Sequence, residues 1–238
     1  MTASTSQVTQ SKTPQVIHSW ERATWEDYLF YRDRETPPDL KRQLFFDRGS
    51  LLIHDMPGEG INHATIARLI AMLFFIWFSQ HRDQVFSDLG GCLLEKPNLQ
   101  AAVPDLVLYL GDDYPRWREG EPRRIDLTQW RVPDLVGEVG DTTLATDLDE
   151  KKKLYAAMGI PEYWVISVQG RQVFAFQLTK DGTYQQCLES VALAGLPISL
   201  LEQTLGQLEQ GTNGSAALWF SQQIASLASQ SERQDVES

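Results

Sequence analysis

The chain reads as an α/β protein of the α+β type, with a mixed central sheet flanked by helices. Three observations predict this. The segments Tyr163 to Val168, Gln172 to Leu178 and Tyr184 to Leu188 alternate in polarity across short turns at Gln169–Gly170 and Asp181–Gly182, the pattern of neighbouring antiparallel strands. The stretch Pro133 to Val139 is almost wholly apolar, as expected of a strand covered on both faces. Helical segments at about Asn62 to Gln80 and Asp147 to Met158 do not alternate regularly with strands, which argues against a run of βαβ units.

Taken in order, the chain begins with the polar stretch MTASTSQVTQSKTPQ, so residues 1–18 read as a disordered tail with no apolar signal segment. Thr24 followed by Asp27 is a capping box that opens a short helix to about Arg32. Gln43 to Phe46 and Leu51 to His54 alternate around Asp47, Arg48 and Gly49, predicting a hairpin that leads into the PGEG loop at Pro57 to Gly60. After the long helix come short strand candidates at Val85 to Ser87 and Gly91 to Leu94, and a stronger one at Asp105 to Leu110. Asp112 to Arg131 is a loop or ribbon, and the helix from Asp147 ends at Gly159 in the C-cap position. Ile198 to Leu208 and Ala216 to Leu227 read as helices, separated by the loop Gly211 to Ser215. The organisation is therefore one domain over residues 19–228, followed by a polar tail at 229–238.

A chain of 238 residues with 42% hydrophobic content can bury a sizeable core. Cys92 and Cys187 form no CxxC pair or His/Cys cluster, so they read as small core residues of a reducing, cytoplasmic protein. The most apolar run, Leu69 to Phe78, is shorter than the ~20 residues that a membrane span needs and should be a buried helix. No glycine-rich phosphate loop, internal repeat or GxSxG elbow occurs. The net charge of −11 opposes sequence-independent binding to nucleic acid, which rests on Lys and Arg neutralising phosphates.

The chemistry concentrates between Val132 and Ile166, VPDLVGEVGDTTLATDLDEKKKLYAAMGIPEYWVI. Asp134 and Glu138 interrupt the apolar strand and, at a period of two, share one face. An ionised carboxylate buried in a strand calls for a cation or an ion-pair partner. Asp147, Lys151 and Tyr155 recur every four residues and share a helix face, from which Lys151 is carried towards the strand, whereas Lys152 and Lys153 turn elsewhere. Hard oxygen donors suit Mg2+ or Mn2+, and Asp105 with Glu138 is the natural metal-binding pair, the carbonyl of Val139 being a third candidate ligand. Asp105, Glu138 and Lys151 are the candidates for metal-assisted hydrolysis.

These residues resemble the Uma-two family, nucleases common in cyanobacteria and placed in the PD-(D/E)XK, restriction-endonuclease-like superfamily. The family string runs roughly PDLVVEVLSPST, then an Asp, a Lys four later, a Tyr four after that, and GVPEYW. Pro133, Asp134, Leu135, Val136, Glu138 and Val139 fit the first part, Asp147, Lys151 and Tyr155 the second, and Gly159 to Trp164 the third. Gly140, Asp141, Thr142, Thr143 and Leu144 depart from LSPST and leave the carboxylate and lysine in place. Upstream, Ala23 to Asp33, Phe46 to Gly60, His63 and Val103 to Leu110 are also similar, so the likeness covers about residues 23–205. It implies a restriction-endonuclease-like core with an Asp, a Glu and a Lys around a magnesium ion, and a metal-dependent endodeoxyribonuclease acting on DNA. The standard motif places its lysine two residues after the glutamate, here Gly140, so the resemblance implies a lysine that has migrated to Lys151 and reaches from the helix into the space Gly140 leaves free.

Other readings stay open at this level. Glu138 and Lys151 could form a structural salt bridge, Asp134 a ligand or a turn cap, and His63 with Glu59 a part of the site or a hydrogen-bonded support. The segment Pro115 to Arg131 carries five arginines, three acids and two tryptophans. Arg116, Arg118, Arg123 and Arg124 are its candidates for gripping nucleic acid, against an exposed hairpin or the contact of a homodimer. The competing function is a non-catalytic interaction protein that retains the nuclease scaffold; no membrane partner is expected.

Overall fold

The computed structural model describes residues 19–56 and 58–237, with side chains up to residue 227, so the expected tail at 1–18 lies outside the described residues. The capping box forms as expected: Thr24 Oγ1 accepts from the Asp27 amide at 3.2 Å, and Asp27 Oδ2 accepts from the Thr24 amide at 2.9 Å. It opens α1 (Trp25–Arg32). The hairpin β2 (Lys41–Asp47) and β3 (Ser50–Met56) turns at Arg48 and Gly49, both at positive φ, the twist that tight two-residue hairpins require.

The described strands form two six-stranded sheets where a single one was expected. The first runs β1 (Glu21–Arg22), β3, β2, β6 (Gln100–Ala102), β5 (Leu94–Lys96) and β8 (Ile125–Asp126). The strand placed at Gly91 to Leu94 therefore begins only at Leu94 and pairs with β6 in a second hairpin. Gly91 instead sits at positive φ in a turn whose amide bonds Pro104 O at 2.9 Å. The Asp112 to Arg131 segment is a loop apart from β8, which joins the sheet through its parallel pairing with β5.

The second sheet is the expected mixed one, in the order β12 (Tyr184–Cys187), β11 (Gln172–Leu178), β10 (Glu162–Ser167), β9 (Leu135–Gly140), β7 (Leu106–Leu110) and β4 (Phe86–Asp88). Its only parallel pair among the described strands is β9 with β10. That pairing needs a crossover, supplied by α3 (Leu144–Thr146), a π-helical turn at Asp147–Lys151 and α4 (Lys152–Met158). Gly159, left-handed at φ 85, closes α4 and returns the chain to β10.

One face of this sheet, with Leu106, Leu135, Val139 and Trp164, packs on α2 (Ile61–Gln80), α5 (Ile198–Gly206) and α6 (Asn213–Glu237). The other, with Val107, Tyr109, Val136 and Val165, meets Phe45, Leu52 and Leu94 of the first sheet and Leu154 and Tyr155 of α4. Tyr28 and Tyr31 of α1 cover the outer face of the first sheet. Burial on both faces explains why β9 is a continuous apolar run, and why a carboxylate within it ends up enclosed. By length and composition α2 could cross a membrane, but its apolar residues Leu69, Ile70, Leu73 and Phe74 are spent on the core. The last helix runs on through residues 229–237, which had been assigned to a polar tail.

Gly90 lies directly behind the start of β7. A Cβ there would come 2.4 Å from the Asp105 carbonyl oxygen, and a main-chain atom cannot swing aside as a side chain can. Gly90→Ala is expected to lower the free energy of unfolding by about 1–3 kcal/mol, the range for forced overpacking, measured by urea denaturation. A variant as stable as the parent would show that the Leu89 to Cys92 turn is free to move away from Asp105.

Candidate active site

Antiparallel pairing of β7 with β9 sets Leu106 opposite Gly137, so Asp105, just before β7, arrives beside Glu138 and Val139 near the end of β9. Asp105 Oδ2 accepts from the Val139 amide at 2.8 Å and faces Nε2 of His63, in the first turn of α2, at 3.1 Å. Glu138 shares its face with Val136 and therefore points between the two sheets. Its Oε2 lies 3.0 Å from Lys151 Nζ, and its Oε1 accepts from the Tyr155 hydroxyl. Lys151 Nζ also meets Asp147 Oδ1 at 2.9 Å, while Asp147 Oδ2 accepts from Thr143 Oγ1 at 2.7 Å. The ammonium rests 4.2 Å from the centroid of the Phe45 ring. Glu138, Asp147 and Lys151 are each at least 98% buried.

Local chain geometry makes this convergence possible. The π-helical turn at Asp147–Lys151 widens the helix just where both charged side chains must point inward, a common place for such turns. The space left by the missing side chain of Gly140 is taken by Asp147, whose Oδ2 lies 2.8 Å from where a Cβ would stand. The expectation that Lys151 itself fills that space is thus corrected: Asp147 occupies it and in turn holds the lysine.

The electrostatics follow from burial. Enclosure pushes the Glu138 carboxyl up to about 8, with Asp105 and Asp147 adding to the rise and Lys151 and the Tyr155 hydroxyl opposing it. Burial alone would lower the Lys151 pKa, yet Glu138 and Asp147 outweigh it and hold the ammonium well above the usual range. Burial likewise works against an ionised Asp105, but the bond to His63 and the Val139 amide keep its carboxyl below the usual value. His63 is raised in return, chiefly by that hydrogen bond.

Asp105, Glu138 and Lys151 line a common cleft of about 180 Å³, with His63, His54, Gln43, Glu59 and Asp141. Three carboxyl groups, Asp105, Glu138 and Asp147, gather about Lys151 and His63, so with all three ionised they outnumber the cations. A divalent cation would offset the excess, and two carboxylates with water and phosphate oxygens completing the shell suit Mg2+ or Mn2+. Among the described residues no group of three or more His, Cys, Asp and Glu side chains is placed to hold a metal ion, so protein carboxylates could supply only part of a coordination shell.

A family model described as "Uma2: Putative restriction endonuclease" matches residues 25–216. The chain belongs to the Uma2 family. Among solved structures it is similar to the crystal structure of a "putative nuclease belonging to DUF820" from Anabaena variabilis, with a TM-score of 0.53 and 19% identity over 76% of this chain and 98% of that one. At that identity the likeness speaks for the fold, which is restriction-endonuclease-like. A search of the curated proteins finds no match.

Within this Uma2 chain the structure brings Asp105, Glu138 and Lys151 together, and adds Asp147, Tyr155 and His63. The four-residue stripe marked Asp147 and Tyr155 in the sequence; nothing local marked His63 as the partner of Asp105. Asp134 stands apart, bonded to the Leu110 amide at 2.7 Å and paired with Arg131 at 2.8 Å, a strand-end clamp. Lys152 lies over the Phe176 ring and Lys153 pairs with Asp149, both away from the cleft. None of Arg116, Arg118, Arg123 and Arg124 lines the cleft. Their segment joins the opposite ends of β7 and β9, and Arg124 is held 2.7 Å from the buried Glu95.

Removing Lys151 strands two buried carboxylates, which is expected to destabilise the protein by about 3–5 kcal/mol. A Glu138 carboxyl raised from 4.5 to about 8 on folding favours the protonated native state, so stability falls as pH rises through that window. Loss of the ammonium extends the window upward. In EDTA, thermal unfolding should show a large deficit for Lys151→Ala at pH 8 and a smaller one at pH 5. An equal deficit at both values would show that Glu138 is not the group left unpaired.

Proposed function

We propose that this protein is a metal-dependent endonuclease that hydrolyses phosphodiester bonds of DNA, with Asp105 and Glu138 holding Mg2+ or Mn2+ and Lys151 as the catalytic cation. The observation that carries this reading is the meeting of Asp105, Glu138 and Lys151, from separate parts of the chain, on one cleft. The bound metal would supply charge neutralisation at the scissile phosphate and favour ionisation of water. Lys151 fixes the Glu138 carboxylate by a direct ion pair and stabilises charge as it grows on the phosphate oxygens. Asp147 and Tyr155 hold these two groups in place, and His63 keeps the Asp105 carboxylate turned towards the Val139 amide. The free thiols Cys92 and Cys187 suit a reducing, cytoplasmic setting.

The net charge of −11 favours a second reading, a non-catalytic interaction protein retaining the scaffold. Against it stands the intact set of three residues. Supercoiled plasmid incubated with the protein should be nicked in Mg2+ or Mn2+ and left intact in EDTA. Glu138→Ala should abolish both nicking and calorimetric Mn2+ binding, and Asp105→Asn should weaken both. Lys151→Ala, assayed at the lowest pH that supports nicking, should cut the rate at least ~100-fold while Mn2+ still binds. Plasmid left intact under every metal condition, by a folded protein that binds Mn2+, would favour the interaction protein.

A further inference from the structure

A second pocket, of about 340 Å³, lies between the arginine-rich segment and the body of the protein and shares no lining residue with the catalytic cleft. Its walls are mostly apolar and include Trp117 and Trp130; its cations are Arg116, Arg123 and Arg124, and its one acid is Glu121. Trp117 is 56% exposed, an unusual position for so large an apolar ring. It is nonetheless held in place: its Nε1 donates to Glu121 O at 2.9 Å, and the Arg123 guanidinium sits 5.7 Å from its ring centroid. The loop behind it is fixed by the Glu121 amide on Arg118 O at 3.1 Å and by Arg124 on Glu95. Of the three arginines only Arg124 is committed to a buried carboxylate, which leaves Arg116 and Arg123 at the rim to meet an anion.

We propose that this pocket binds a nucleotide, with the base stacked on Trp117 and the phosphate between Arg116 and Arg123. An exposed indole recognises a planar π-system, and a guanidinium recognises a phosphate. A nucleotide carries both groups on one small molecule. The volume is at the low end for small-molecule sites, about 300–1,000 Å³, and fits a single nucleotide and not a duplex. On a chain of net charge −11 this local cationic rim is where an anion would settle. The site is independent of the nuclease reading, since none of its residues touches the cleft.

Equilibrium dialysis of deoxyadenosine monophosphate in EDTA tests it, because without metal the cleft does no chemistry. Saturable binding is expected for the parent protein and for Glu138→Gln alike. Trp117→Ala should weaken it about 10-fold or more, as loss of one stacking platform does, and Arg123→Gln should weaken it comparably. Both side chains are exposed, so both variants should fold. Deoxyadenosine should bind more weakly than its monophosphate. A short 5′-phosphorylated single strand separates the sources: tighter binding of the strand, still lost in Trp117→Ala, assigns the pocket to strand ends, and tighter binding of the monophosphate assigns it to free nucleotide. No saturable binding of either probe, or binding that both variants leave unchanged, overturns the proposal.

Discussion

The structure turns on one enclosed carboxylate. Glu138 sits between two sheets on a strand buried on both faces, where an unpaired charge is too costly to keep. The crossover from β9 to β10 meets that constraint: its π-helical turn and first α-helical turn bring Lys151, Asp147 and Tyr155 down onto the carboxylate. The parallel pair at the centre of the sheet and the candidate chemistry thus depend on the same segment, which both covers the strand and answers its charge.

Two other buried carboxylates show what a purely structural solution looks like. Glu95, in the first sheet, receives the Tyr28 hydroxyl at 2.7 Å and the guanidinium groups of Arg32 and Arg124 at 2.8 and 2.7 Å, so positive charge is in excess around it. Glu162 is met by neutral donors, the Trp164 indole at 2.6 Å and the amides of Val191 and Ala192 at 2.9 and 2.7 Å. Both are closed. Around Glu138 three carboxyl groups meet only Lys151 and His63, so once ionised they outnumber the cations, and the imbalance opens onto a cleft. The direction of the imbalance, more than burial as such, separates a site from a brace.

Much of this was legible in the sequence because it is local. The capping box of α1, the hairpin turn at Arg48 and Gly49, the glycine that ends α4 and the two-residue and four-residue stripes each depend on neighbours a few positions away. The placement of Glu138 and Lys151 followed from those stripes. The first sheet was not legible, because four of its strands are only two or three residues long and its order pairs β2 with β6, where Phe46 meets Ala101 fifty-five positions later, with no periodicity long enough to announce the pairing. The position of the arginine-rich segment was hidden for a related reason: composition shows that cations are present but not where the chain carries them. Arg124 turned out to face Glu95, a residue twenty-nine positions earlier.

By itself the sequence determined the longer strands and the helices, which of their faces are apolar, and that a carboxylate and a lysine stand where the Uma2 pattern has them, but not the short strands β1, β6 and β8. Tertiary structure alone decided that Asp105 meets His63, that Asp147 occupies the space beside Gly140, and that the arginines lie away from the cleft. Periodicity fixes the direction of a side chain relative to its own backbone. Which group it meets is set by strand register and sheet order, which arise from packing across the whole core.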